Sequence, residues 1–91
     1  MNYKIVLSNR FKKDLQLASK RGYDLSLLDD IVSALAKAET LPAKNKDHSL
    51  TGDFSGFREC HIQPDWLLIY RIENDELILF LSRTGTHSDL F

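Results

Sequence analysis

The residues Trp66-Leu67-Leu68-Ile69-Tyr70 form an unbroken apolar run, and no apolar run in the chain is longer. A helix crossing a bilayer needs roughly 20 such residues, so this segment cannot span a membrane. Pro64-Asp65 precedes it, and proline presets the backbone angle that the first central position of a tight turn requires. A short apolar run opened by a turn is a buried strand, and with no polar alternation it must be covered on both faces. The chain therefore has to supply one layer above this strand and another below it. Its neighbours follow from the same logic. Phe57 to Gln63 predicts a strand before the turn, and Glu76 to Ser82 another after a second turn at Asn74-Asp75.

The N-terminal half supplies one covering layer. Residues 2–7 are rich in β-formers and predict a strand. Ser8 or Asn9 can cap a following helix, in which Phe11, Leu15 and Ala18 recur at helical spacing with lysines opposite. Gly22 ends that helix, because glycine takes the left-handed conformation favoured there. Asp24 caps a second helix with an apolar stripe of Leu25, Leu28, Val32 and Leu35, running to about Ala38, and Pro42 marks its exit. Residues 43–56, polar and aperiodic, predict loop. The order is β-α-α-β-β-β. This is an α+β fold, an antiparallel sheet packed on an N-terminal helical hairpin, with residues 1–91 as a single domain.

Charge and cysteine content narrow the setting. The net charge of −1 hides an asymmetry. Residues 1–21 carry six basic side chains, including Lys12, Lys13 and Lys20, against the single acid Asp14, whereas residues 47–91 carry three arginines against eight acids. Such a split suits a basic face meeting a polyanion, or else a merely solvated helix face. The lone Cys60 cannot form an internal disulfide, and Met1-Asn2-Tyr3-Lys4 opens no signal peptide. A reducing cytoplasm, without membrane association, is the expected location.

Every histidine lies in the second half: His48 in a polar loop, His61 on the first strand of the central hairpin, and His87 just beyond the last strand. Imidazole exchanges protons near neutral pH. Asp65 lies across the turn from His61, where a carboxylate favours the imidazolium and fixes its tautomer. Arg83, four residues before His87, offers a fork of donors that matches phosphate oxygens. Each has a plainer alternative: His48 and His61 as surface residues, Arg83 paired with a C-terminal acid. Spacings of 13 and 26 residues between the histidines lack the close pair of a metal site, and Cys60 should face away from His61, so no metal is expected. No P-loop, dinucleotide fingerprint or nucleophile elbow appears, so no cofactor is expected either. Trp66 reads as core before substrate platform, whereas Phe91, last in the chain, could stack on a base.

Taken together, Lys46-Asp47-His48-x-Leu50-x-Gly52, Phe57-Arg58-Glu59-x-His61-x-x-Pro64-Asp65-Trp66-x-Leu68-Ile69-Tyr70 and Arg83-Thr84-Gly85-Thr86-His87-Ser88-x-Leu90-Phe91 resemble the YafQ branch of the RelE/ParE toxin superfamily. These motifs cover residues 46–91. The resemblance implies a toxin of a type II toxin–antitoxin system, with a fold related to microbial ribonucleases. It further implies a ribosome-dependent, metal-independent endoribonuclease that cuts translated mRNA in the A site. By the same resemblance His48, His61, Asp65, Arg83 and His87 are catalytic, and Phe91, Glu59 and Trp66 bind substrate. Lys12, Lys13 and Lys20 are candidates for ribosomal RNA contact. Glu59 departs from the aspartate common at its position. The implied partners are a cognate antitoxin, the ribosome and mRNA, with operator DNA reached only through the antitoxin complex. Superfamily members that poison gyrase, and non-catalytic RNA- or protein-binding modules, are the competing classes.

Overall fold

The computed structural model describes residues 2–91. Strand β1 (Lys4–Leu7) leads into helices α1 (Asn9–Lys20) and α2 (Leu25–Ala36), and strands β2 (His48–Ser49), β3 (Arg58–Gln63), β4 (Trp66–Glu73) and β5 (Ile78–Gly85) follow before a last helical turn, α3 (His87–Leu90). Ser8 caps α1 by accepting the Phe11 N–H, and Asp24 caps α2 by accepting that of Ser26. Both caps are the ones the sequence offers.

The five strands form one sheet in the order β1-β5-β4-β3-β2. The turns at Pro64-Asp65 and Asn74-Asp75 join β3, β4 and β5 as antiparallel neighbours, as expected. Two features correct the sequence expectation. The sheet is mixed, because β1 runs parallel to β5. The helical hairpin returns the chain to the far side of the molecule, so β1 and β5 meet by a crossover and not by a turn. The segment expected to be loop also holds β2, whose two residues extend β3 through the pairs His48↔Glu59 and Ser49↔Arg58. A strand this short shows no alternation to read.

Strand β4 is buried from Trp66 through Tyr70, as its unbroken run requires. Trp66, Leu68 and Tyr70 join Phe11, Leu28 and Leu35 of the helices and Leu79 and Leu81 of β5 in the main core. Leu67 and Ile69 face the other way, against Leu90, with Leu50, Phe54 and Phe57 at the margin. The helices cover one face, and the loops and C-terminal turn cover the other.

A bulge in β5 sets which face Arg83 occupies. Ile69 pairs with Arg83 but Tyr70 pairs with Leu81, so Ser82 is the extra residue. Strict alternation would put Arg83 on the core face with Leu79 and Leu81; the bulge carries it to the row of Glu59 and Ile69.

Trp66 is 1% exposed. Its ring lies 4.9 Å from that of Tyr23, and its Nε1–H donates to Thr84 Oγ1 at 2.9 Å, while the Thr84 hydroxyl donates to the Leu67 carbonyl at 2.6 Å. The expectation that Trp66 binds substrate is corrected: burial removes it from any ligand, and its polar atom is already satisfied. Replacing it tests the role. Trp66→Phe should remove this buried donor, leave a void, and lower stability in urea unfolding by about 1–3 kcal/mol.

Candidate active site

The face of the sheet opposite α1 and α2 gathers all three histidines. His48 on β2 lies opposite Glu59 on β3, and Glu59 shares its face with His61 two residues on. The Glu59 carboxylate is 5% exposed, with Oε1 at 3.6 Å from His48 Nε2 and 3.8 Å from His61 Nε2. His87, at the first position of α3, brings its ring within 5.8 Å of His61, inclined by 62°. Residues far apart in sequence thus converge through strand register.

Each imidazole is pinned through Nδ1. His48 Nδ1 lies 2.7 Å from the Lys46 carbonyl, and His61 Nδ1 lies 3.2 Å from that of Pro64. A carbonyl only accepts, so Nδ1 carries the proton in both rings and Nε2 is the open atom. His87 is held by Asp65, whose Oδ1 takes the backbone N–H at 3.0 Å and ring Nδ1 at 2.8 Å. Here the sequence expectation is corrected, since Asp65 serves His87 and not His61. The two-residue turn points the Asp65 side chain away from its own strand and toward α3. These donated N–H groups, the backbone one first, hold the Asp65 carboxyl below the usual range.

The remaining candidates fall into place around this cluster. Arg83 donates Nε and Nη2 to Asp14 of α1, at 2.8 and 3.2 Å. Its partner is an N-terminal acid, not a C-terminal one, and the bond to Asp14 raises the guanidinium's already high pKa. Phe91 is 61% exposed and stands edge-on to Phe54 with 5.5 Å between ring centres, an aromatic face free to stack. Lys12, Lys13 and Lys20 lie on the exposed face of α1. Cys60 is fully buried in the main core, and burial pushes its thiol up to about 12, which removes it as a nucleophile.

Sequence reasoning missed the clasp that seats α3. Asp89 accepts Arg21 Nη1 and Nη2 at 2.6 and 3.1 Å and the Thr86 N–H at 2.9 Å, while Thr86 Oγ1 takes the Asp89 N–H. The Thr86-x-x-Asp89 spacing is that of a capping box, which was the available signal. Gly85 makes room for it: a Cβ there would stand 2.8 Å from Asp89 Oδ2 and 2.9 Å from its Cβ. Arg21, first, and the Thr86 N–H hold the Asp89 carboxyl well below the carboxylate range.

The ligand atoms of Glu59, His61 and His87 lie within 4.8 Å of one another. An oxygen and two ring nitrogens at this spacing fit a cation of the zinc or copper kind. The spacing of the histidines along the chain gave no sign of it.

A family model described as the bacterial toxin of type II toxin-antitoxin systems, YafQ, matches residues 3–91. The chain belongs to this family. It is 43% identical over 88 residues to the mRNA interferase toxin YafQ of Escherichia coli K12, covering 96% of this chain and 94% of that one. Its structure superposes on a metal-bound toxin from Helicobacter pylori with a TM-score of 0.92 and 48% identity, over the whole of both chains. It also superposes on the toxin structure in the E. coli DinJ-YafQ toxin-antitoxin complex, with a TM-score of 0.89, 39% identity and coverage of 100% and 99%. The fold and family inferred from residues 46–91 thus extend to the helical half.

The α3 clasp has a pH signature. A carboxyl held low contributes stability above its unfolded value of about 3.9, and that contribution is lost as pH falls through the folded value. Amide protection of α3 should therefore persist down to about pH 3.9 and fail only on further acidification. Asp89→Asn, or Gly85→Ala, should lose it at neutral pH. Hydrogen exchange at Leu90 and Phe91 reads both outcomes.

Proposed function

We propose that this chain is an endoribonuclease that cuts translated mRNA in the ribosomal A site by acid–base catalysis, and that an antitoxin silences it. One observation carries the proposal: three imidazoles, each held by Nδ1, present Nε2 to a common site, in a chain 43% identical to an mRNA interferase. RNA cleavage by its own 2′-OH needs a base for that hydroxyl, an acid for the leaving 5′-oxygen and positive charge at the phosphorane. His87 is the acid, oriented by Asp65 so that Nε2 delivers the proton. The base is drawn from His48 and His61, whose Nε2 atoms lie beyond hydrogen-bond range of Glu59 and are open to a hydroxyl. Arg83, braced by Asp14, keeps Nη1 free of hydrogen bonds among the described residues and supplies the charge. Phe91 stacks a base and holds the backbone for in-line attack.

The metal-bound relative favours a second property of the same atoms. Glu59, His61 and His87 would hold a cation, which supplies Lewis-acid charge when bound. With both ring Nδ1 atoms engaged, coordination would use Nε2, so metal and proton transfer compete. The partner is inferred likewise from the DinJ-YafQ complex: an antitoxin that masks this face or the basic helix.

His87→Gln keeps size and hydrogen bonding but cannot protonate an alkoxide. In a translating extract it should lower cleavage by roughly 10²-fold or more, with stability within about 1 kcal/mol of the parent. The parent should leave 2′,3′-cyclic or 3′-phosphate ends, undiminished by a chelator selective for transition metals and inhibited by added zinc. Intact transcripts with broken DNA would instead indicate the gyrase class.

Reversing charge at Lys12, Lys13 and Lys20 together should weaken ribosome binding and flatten its salt dependence, because each lost phosphate contact lowers the slope. A binding isotherm at several salt concentrations measures this, and an unchanged slope assigns the three lysines to solubility.

A further inference from the structure

Beside the histidine cluster, on the far side of His61, lies a groove of about 360 Å³ whose wall includes Lys44, Asn45, Lys46, His61 and Gln63. A single 3₁₀ turn at Ala43–Asn45 forms one side. This turn is tied to the active site twice. Asn45 Nδ2 donates to the His61 carbonyl at 2.7 Å, and the Lys46 carbonyl accepts His48 Nδ1 at 2.7 Å. Lys46 takes a left-handed backbone, φ 48°, which is uncommon for a residue with a side chain and is here held by the second tie.

Asn45 is the telling residue. It is 4% exposed, and while its amide nitrogen is used, its Oδ1 has no hydrogen-bond partner. A buried amide oxygen left unpaired forfeits its hydration without return, and native structures seldom leave one so. Above it, Lys44 and Lys46 are exposed and unpaired among the described ion pairs. An acceptor wanting a donor, two ammonium groups wanting an anion, and a volume at the scale of a small ligand share one wall.

We propose that this groove is a nucleotide subsite, holding the RNA residue next to the scissile phosphate. Lys44 and Lys46 take its phosphate as point charges, and Asn45 and Gln63 take the edge of its base, the manner in which splayed single-stranded bases are read. The subsite rests on the ribonuclease function proposed above. It adds a reason for the double tie: a base seated against Asn45 bears on the loop that holds His48 and His61, so substrate binding and alignment of the base catalyst are one event.

The test is a titration of the isotope-labelled full chain, followed by nuclear magnetic resonance, with each nucleoside 5′-monophosphate and with inorganic phosphate. Nucleotides should shift the backbone signals of Lys44 to Lys46 and Gln63 and the side-chain amide of Asn45, and should bind about fivefold more tightly than phosphate alone. Lys44→Gln with Lys46→Gln should weaken nucleotide binding about tenfold. The same pair should raise the apparent KM for mRNA cleavage by a larger factor than it lowers kcat. An Asn45 amide that does not move, phosphate binding as tight as that of nucleotides, or a double variant with parental affinity overturns the subsite. Cleavage by the parent with a silent titration removes the subsite and leaves the ribonuclease function standing. A parent that cuts no mRNA removes the function and the assignment with it.

Discussion

Burial of β4 on both faces is the constraint on which the rest depends. A strand with no polar face stabilises a fold only if two layers are laid against it, at roughly 1.5–3 kcal/mol for each large apolar side chain removed from water. Helices α1 and α2 provide one layer over Trp66, Leu68 and Tyr70. The other face has no long helix to spare. It is covered by Leu90 of a four-residue turn and by loop residues Leu50, Phe54 and Phe57. These short segments are the ones that carry His48, His87 and Phe91, so closing the second core also assembles the site.

Short covering segments lack the rigidity of helices, and the site makes up for this with polar ties. Arg21 reaches from the end of α1 to Asp89, Asp14 reaches from its middle to Arg83, and Asp65 reaches from the β3–β4 turn to His87. The same helix that covers the main core therefore also braces the histidine-bearing side through two carboxylate–guanidinium pairs. Partial exposure limits what each contributes to stability. Their effect is orientation: a bidentate pair fixes two planar groups relative to each other, which a point contact does not.

Much of this was legible in the sequence where a pattern is local. The WLLIY run gave a doubly buried strand, Ser8 and Asp24 gave the caps, and the two turns gave the hairpins. Non-local features were hidden. Parallel pairing of β1 with β5 depends on where the helical hairpin returns the chain. The bulge at Ser82, which decides the face of Arg83, leaves no mark in an apolar string. Asp65 lies close to His61 in sequence, yet the turn geometry hands it to His87. Glu59 carries only a motif position in the sequence, and strand register makes it the buried carboxyl facing two imidazoles. Arg21 and Asp89, one in the basic and one in the acidic half, are partners that no local spacing links.

The charge asymmetry takes a different meaning once these pairs are drawn. Arg21 is neutralised by Asp89, and Asp14, the one acid of the basic segment, is spent on Arg83. The basic side chains that remain exposed on α1 are Arg10, Lys12, Lys13 and Lys20, none of them held by an acid among the described ion pairs. The acids of the C-terminal half that lie near the site are engaged in pairs, Asp47 accepting from Tyr70 and Arg58, Asp65 from His87 and Asp89 from Arg21, while Asp53, Asp75 and Glu76 stay exposed away from these pairs. An active surface meant for a polyanion needs its carboxylates used as internal ties and its ammonium groups left free. The ion pairs leave the ammonium groups of α1 unengaged, so a chain of net charge −1 still presents a cationic face.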